Sequence, residues 1–348
     1  MMADLVVRAT APLRISFVGG GTDFPHYFGQ HGGAVLSATI DHCVRAEIRP
    51  RRDRRVRIRS LDLDRLVEYR LDEGPEYDGV MDLAKAAISR MGVTEGVDVS
   101  IRSEAPAGSG LGGSSALVVA VVAALAALRD LPLSADELAR TAHRIEREDL
   151  GITGGWQDQY AATFGGFNLL EFTPGDITVS PVEADARTLT TLRERLLLCY
   201  TGSVRRNVGL IDRQIRLYEE GREETLLGLK RLQAMAYAMR DAVVAGEPDA
   251  LGAMLREAFE SKKLMNPHIA EHTPIEAMLE TAARAGAIGG KICGAGGGGY
   301  LLIYCREERQ PAVRTALEAI GGQMATFSFR AEGVRAERAG RTWTPVMS

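Results

Sequence analysis

The sequence predicts an α+β fold built in two units. Two patterns carry that expectation. Segments with every second residue apolar dominate the first half, the mark of half-buried strands. Beyond residue 205 the apolar residues recur at three- and four-residue spacing, the mark of helices packed by one face. Strand-like segments return among these helices, so the mixture reads as α+β.

The elements follow in order. LVVRATA and LRISFVG alternate, and a loop GGGTDFPHYFGQHGG comes next. ATIDHCVRAEIR keeps the same period through Ile40, Val44, Ala46 and Ile48, and VRIRS repeats it. Between them, seven arginines fall within 49–59. They are read as a solvated hairpin tip, with a phosphate patch as the rival. Residues 80–92 suggest a helix and VDVSIRSEAP a strand. ALVVAVVAALAAL, at 116–128, is too short to span a bilayer and reads as a buried helix over 115–128. Ser134 followed by Glu137 is a capping-box start for the next helix. GFNLLEF and ITVSPV are strands, and LLLCYTG (196–202) opens the second unit as a buried strand. Four helical segments follow, then the strand YLLIYC, a helix at QPAVRTALEAIGG and a closing strand in ATFSFRAEGVRAE. The boundary falls near 185–195, which divides the chain into 1–190 and 191–348.

The chain has 348 residues, 45% hydrophobic and 25% charged, enough apolar material for a large core in about two domains. A net charge of −4 argues against a broad nucleic-acid surface. The four cysteines lack metal or redox spacing and read as buried thiols of a reducing compartment. The opening residues lack the apolar core of a signal peptide, so a cytoplasmic protein without membrane or nucleic-acid partners is expected. A homodimer is allowed.

Glycine is the abnormal number. Many of the 38 sit at 19–21, 108–113 and 289–299, each cluster joined directly to strand or helix. Pro106–Ser115 lies between a strand and a helix, where converging N–H groups and a helix N-terminus suit phosphate oxygens. Gly108, Gly110 and Gly113 satisfy G-x-G-x-x-G, but Asp130, at the offset for a dinucleotide acid, precedes a helix. Lys291 is followed by Ile292, so the Walker pattern fails as well. Asp158, in GGWQDQ, is a candidate general base or a turn residue. KICGAGGGG (291–299) is a ligand loop or a bulged turn.

Together the three segments resemble the GHMP kinase superfamily of galactokinase, homoserine kinase and mevalonate kinase. The first motif runs from Ala11 to Asp23, with Gly20 and Gly21 where galactokinases carry Glu-His; the others are Pro106–Ala116 and Gly294–Gly299. RISFVGGGTDFPHYF, SGLGGSSA, GGWQDQYAA and KICGAGGGGYLL look most like the branch acting on D-glycero-D-manno-heptose 7-phosphate. The resemblance implies an N-terminal domain like ribosomal protein S5 domain 2, a C-terminal ferredoxin-like domain and an active site in the cleft between. It implies transfer of phosphate from ATP, with Mg²⁺, to the sugar's C1 hydroxyl. Kinases of an unphosphorylated sugar such as fucose, or a sugar sensor without turnover, are the alternatives.

The resemblance also assigns roles. Gly108, Ser109, Gly110, Leu111, Gly112, Gly113, Ser114 and Ser115 would cradle the nucleotide phosphates. Ser114, with Ser115 as the near alternative, and Glu146 would hold Mg²⁺. Asp158 would accept the hydroxyl proton, held ionised by Arg14. Gly21, Thr22, Asp23, Gly296 and Gly297 would face the sugar. Its distal phosphate would find Arg205 and Arg206, or Lys262 and Lys263.

Overall fold

The computed structural model describes residues 5–202, 209–338 and 341–347. In chain order the first elements are β1 (Val7–Val18), α1 (Pro25–His31), β2 (Gly33–Pro50), β3 (Arg55–Ser60), β4 (Arg65–Arg70), α2 (Asp82–Arg90), β5 (Val97–Ser103) and α3 (Gly113–Leu128). Then come α4 (Ala135–Arg144), α5 (Gln157–Phe164), β6 (Phe167–Thr173), β7 (Asp176–Pro181), α6 (Ala186–Arg195) and β8 (Leu196–Tyr200). The remainder comprises α7 (Leu210–Glu219), α8 (Glu223–Val244), α9 (Pro248–Met265), α10 (Ile275–Ala285), β9 (Gly289–Ile292), β10 (Tyr300–Tyr304), α11 (Gln310–Glu318), β11 (Gln323–Ala325), β12 (Arg335–Arg338) and β13 (Arg341–Trp343).

The larger sheet runs β13-β12-β1-β2-β5-β3-β4, with β6 and then β7 attached to β2. Alternation in β1 turns Val7, Ala9, Ala11, Leu13, Ile15 and Phe17 into the core. β2 is 18 residues long and serves two neighbours on one edge: Gly33–Ala38 pair with β6, and Val44–Pro50 pair with β5. All its pairings are antiparallel; β3 and β5 are parallel.

The hairpin expected between β2 and β3 does not form, because β5 sits between them. The connection folds over Gly96 instead, whose N–H donates to the Asp53 carbonyl at 2.9 Å. Four of the seven arginines of 49–59 sit in ion pairs: Arg49 with Glu47, Arg51 with Asp53 and Asp98, and Arg55 and Arg57 with Glu68. That fits the solvated reading over a phosphate patch.

α3 is apolar all round and buried from Ser115 to Ala127 except for Leu117. It lies on β1 and β2, flanked by α2, α4 and α5. The capping box of α4 is present: the Glu137 N–H donates to Ser134 Oγ at 3.1 Å, and the Ser134 N–H to Glu137 Oε2 at 2.8 Å. After α4 the backbone widens into a π-helical turn at Ile145–Asp149. Pro25, at the first turn of α1, makes a helix inside the stretch read from sequence as loop.

The second sheet runs β11-β8-β10-β9, antiparallel throughout. Leu197, Cys199, Leu301 and Ile303 face Met278, Val313 and Leu317; Leu198, Leu302 and Tyr304 join the main core. α8 and α9 pack on each other, α8 against β1 and β2, α9 against β9 and β10, and so bridge the two sheets. The single closing strand expected over 325–337 is two strands in different sheets. β11 joins β8, and β12 reaches back to β1, with Val7 opposite Arg338. A division at 190/191 therefore leaves β12 and β13, late in the sequence, on the sheet of the first segment. Cys43, Cys199, Cys293 and Cys305 are free and buried. Among the described residues no helix is long and apolar enough to cross a membrane.

Candidate active site

A cavity of about 820 Å³ is lined by all three glycine segments. Two of them are stacked backbone on backbone. Gly110 and Gly294 both have positive φ, and a Cβ on Gly110 would lie 2.6 Å from the Cys293 carbonyl oxygen. The Tyr300 N–H donates to the Ser109 carbonyl at 3.0 Å, locking the third segment to the second. Only glycine tolerates both the left-handed backbone and this approach.

The second segment ends in Gly112, which has left-handed geometry and caps α3 without a side chain. The first N–H groups of this 16-residue helix are left to the cavity, where Gly113, Ser114 and Ser115 form part of the wall. Orphan donors and the helix dipole make that wall a seat for anions.

Arg14 and Asp158 meet beside it. Arg14, in β1, is 4% exposed; its Nε and Nη2 lie 2.8 and 2.7 Å from Asp158 Oδ1, and its Nη1 donates to the Gly110 carbonyl at 2.6 Å. Asp158 sits in the first turn of α5. A Cβ on Gly112 would fall 3.3 Å from Arg14 Cγ and 3.5 Å from Asp158 Cγ. The carboxylate thus faces the phosphate-type loop across one van der Waals contact.

Glu146 enters from the π-helical turn and is 2% exposed. The Gln159 amide, Nε2, donates to Glu146 Oε1 at 2.7 Å and to Ser115 Oγ at 3.1 Å. Burial pushes the Glu146 carboxyl up, while Arg147, Ser115 and Gln159 pull it down. A carboxylate and a hydroxyl held together at an anion seat form an oxygen donor set that fits a hard divalent cation. The structure associates Ser115 with Glu146; Ser114 is exposed on the cavity wall one residue earlier.

At the other end Asp23 is 1% exposed and accepts three N–H groups. Gly21 N–H reaches Oδ1 at 2.9 Å; the Gln157 backbone N–H and Nε2 reach Oδ2 at 3.2 and 3.1 Å. Burial pushes its carboxyl up, against these donors. Thr22, expected to face a sugar, does not line the cavity. Its hydroxyl donates to the Gly19 and Ala34 carbonyls, accepts the Ala34 N–H, and is wholly buried. Gly21 and Gly296 line the cavity, but Gly297 does not, its N–H being spent on the Ile269 carbonyl.

Lys262 lines the cavity, 5% exposed, with Nζ on the Gly294 carbonyl. Arg205 and Arg206 lie outside the described residues. Lys291 was not singled out from the sequence as a site residue. It lines the cavity at 3% exposure, donates to the Ser16 carbonyl at 2.8 Å, and burial pushes its ammonium down to about 8. Gln157 and Gln159 were also missed, although both flank Asp158. Leu63, Tyr77, Met81, Leu83 and Ile101 make an apolar end to the same cavity.

The GHMP kinases N terminal domain model matches residues 79–166 and the GHMP kinases C terminal model matches residues 239–323. A D-glycero-alpha-D-manno-heptose 7-phosphate kinase from Campylobacter jejuni is 35% identical over 344 residues, 95% of this chain and 99% of that protein. An L-fucokinase/L-fucose-1-P guanylyltransferase from Bacteroides fragilis is 27% identical over 90% of this chain and 36% of its own length. The crystal structure of a D-glycero-D-manno-heptose 1-phosphate kinase from Bacteroides thetaiotaomicron superposes with a TM-score of 0.79 at 29% identity, covering 95% of this chain and 98% of that one.

Proposed function

This chain belongs to the GHMP kinase superfamily and is a phosphotransferase, and on that premise we propose that its acceptor is D-glycero-D-manno-heptose 7-phosphate. ATP supplies the γ-phosphoryl group, and the anomeric C1 hydroxyl receives it, giving the 1,7-bisphosphate and ADP. The reaction runs in the cytoplasm. The 35% identity to a heptose 7-phosphate kinase over nearly the whole of both chains supports the substrate. The observation that carries the chemistry is the Asp158 carboxylate, held by Arg14 across from the uncapped start of α3.

The α3 N-terminus and the 108–113 backbone bind the phosphates, and the apolar end at Tyr77 and Met81 takes the base. Ser115 and Glu146, with Ser114 beside them, would hold Mg²⁺, which would offset phosphate charge. Asp158 takes the proton as the C1 oxygen bonds to the γ-phosphorus and the bond to the ADP oxygen breaks. Arg14 orients the Asp158 carboxylate and shares the γ-phosphate charge. Asp23, Gly21 and Gly296 shape the sugar end, and Lys262, with Arg205, answers the distal phosphate. Of the segments 1–190 and 191–348, the first brings the 108–113 loop, Arg14, Asp158 and Asp23, and the second adds Lys262, Gly294 and Gly296 to the same cavity.

The test is turnover. Purified protein with ATP and Mg²⁺ is offered heptose 7-phosphate, L-fucose and galactose, and the product is read by phosphorus NMR. The expected product is the 1,7-bisphosphate. Phosphorylation of a free hexose with heptose 7-phosphate untouched overturns the substrate; binding without ADP release for any sugar overturns catalysis in favour of a sensor.

A further inference from the structure

We propose that Gln157 is a specificity-determining residue whose side-chain oxygen accepts a hydrogen bond from the hydroxyl next to the one being phosphorylated, so that the site demands a vicinal diol. The inference rests on the sugar-kinase reading above and deepens it.

Asp23 fixes which way the Gln157 amide points. Both Asp23 oxygens face N–H donors, Oδ1 toward Gly21 and Oδ2 toward the backbone N–H and Nε2 of Gln157. A carboxylate offers only acceptors, so the amide nitrogen must turn toward it and the amide oxygen away. That oxygen, Oε1, is shielded from solvent and has no hydrogen-bond partner among the described residues. A buried acceptor without a donor is costly, and a ligand that brings one is favoured by the relief.

The place of this acceptor is set by Gly20. A Cβ there would come within 3.2 Å of Gln157 Nε2 and 3.9 Å of Oε1, and both residues line the cavity. Glycine keeps that flank of the amide free of a side chain. Gln157 and Asp158 are successive residues at the start of α5, yet they face different partners. Asp158 meets Arg14 and the Gly112 turn; Gln157 meets Asp23 and Gly20. A proton acceptor for one hydroxyl and a hydrogen-bond acceptor for another therefore stand side by side. For an anomeric hydroxyl the ring oxygen occupies the other flank, so the partner is the C2 hydroxyl. Asp23 is then a positioning residue: its oxygens are committed, and it acts on the substrate through Gln157.

The experiment compares a sugar with its 2-deoxy analogue, using whichever sugar of the panel above the wild type phosphorylates. Failure of the heptose assignment thus leaves this test standing. Wild type is expected to lose about 100-fold or more in kcat/KM on the deoxy analogue, as sites built around a hydroxyl do. Gln157→Met, of similar volume but without the acceptor, is expected to bring both sugars to nearly equal kcat/KM while leaving the KM for ATP unchanged. The melting temperature and that KM report whether the variant is folded. Equal use of the two sugars by wild type overturns the proposal, as does undiminished discrimination by the folded variant.

Discussion

Arg14 and Asp158 are 144 positions apart in the chain and share one carboxylate oxygen, with Arg14 Nε at 2.8 Å and Nη2 at 2.7 Å. Both contacts fall on Oδ1, so the pairing orients the carboxylate toward the cavity as well as neutralising it. Asp158→Asn keeps the shape and removes the proton acceptor. Its expected effect is a loss of roughly 10²–10⁴ in kcat, the usual worth of a general base. Nucleotide affinity, measured by calorimetry, stays near that of wild type, because the loop and helix that take the phosphates are untouched. Unchanged turnover would remove Asp158 from the mechanism.

Gly110→Ala tests the stacked loops. The new methyl group meets the Cys293 carbonyl at 2.6 Å on a backbone with φ of +80°. The left-handed strain alone is about 1–3 kcal/mol. A lower melting temperature is expected, together with a KM for ATP raised roughly tenfold, the equivalent of about 1.4 kcal/mol. Gly29→Ala, exposed on α1 and away from the cavity, with nothing within 4 Å of the added atom, is the matched control; it leaves the KM for ATP unchanged and does not lower the melting temperature.

Glu146→Gln separates metal binding from folding. The magnesium needed for half-maximal activity is expected to rise at least about tenfold. Added Mg²⁺ raises the melting temperature of wild type and not of the variant. Without metal the variant is as stable as wild type or more so near neutral pH, since burial already disfavours the charged Glu146. A metal-dependent shift in the variant equal to that of wild type would assign the cation elsewhere.

His143 makes the protein acid-sensitive. Its ring stacks on Trp156 at 3.4 Å, 7% exposed, with neither ring nitrogen bonded among the described residues. Burial, then Arg147, Arg140 and Arg144, pushes its pKa down to about 3. The unfolded chain takes up the proton near the ordinary value of about 6.5 and the folded chain does not. Stability therefore falls as the pH drops from about 6.5 to 3, by at most about 1.4 kcal/mol per unit from this group. His143→Phe keeps a flat ring on Trp156 and is expected to flatten the melting-temperature curve over that range. Parallel curves for variant and wild type would refute the assignment.

The glycine segments stood out in the sequence because one strand-to-helix turn does not explain so many glycines, whereas Arg14 and Asp158, each compatible with a bland role, drew their assignment from the family resemblance. Glycine in a strand-to-helix turn declares unusual backbone before any partner is known. Thr22 could not be read, because its hydroxyl is claimed by Ala34, 12 positions on, and nothing local reveals that choice. Gln157, Gln159 and Lys291 are equally at home on a surface; only burial against Asp23, Glu146 and Ser16 gives them meaning. Alternation located β3 and β5, but it led to the wrong neighbour for β3 and ran β11 and β12 together as one strand. Period two fixes which face a strand buries and is silent on which strand lies beside it.

The pairing of β12 with β1 has a consequence for biosynthesis. One side of β1 stays bare until residues 335–338 have been made, roughly tens of seconds after β1 itself at ordinary elongation rates. During that interval β1 offers an open ladder to other nascent chains. Arg8, outward on that strand and paired with Glu47, is the charge that discourages such encounters. A product cut short before residue 335 keeps every glycine loop and still presents that edge, so it is expected to be lost to clumping before it can be assayed.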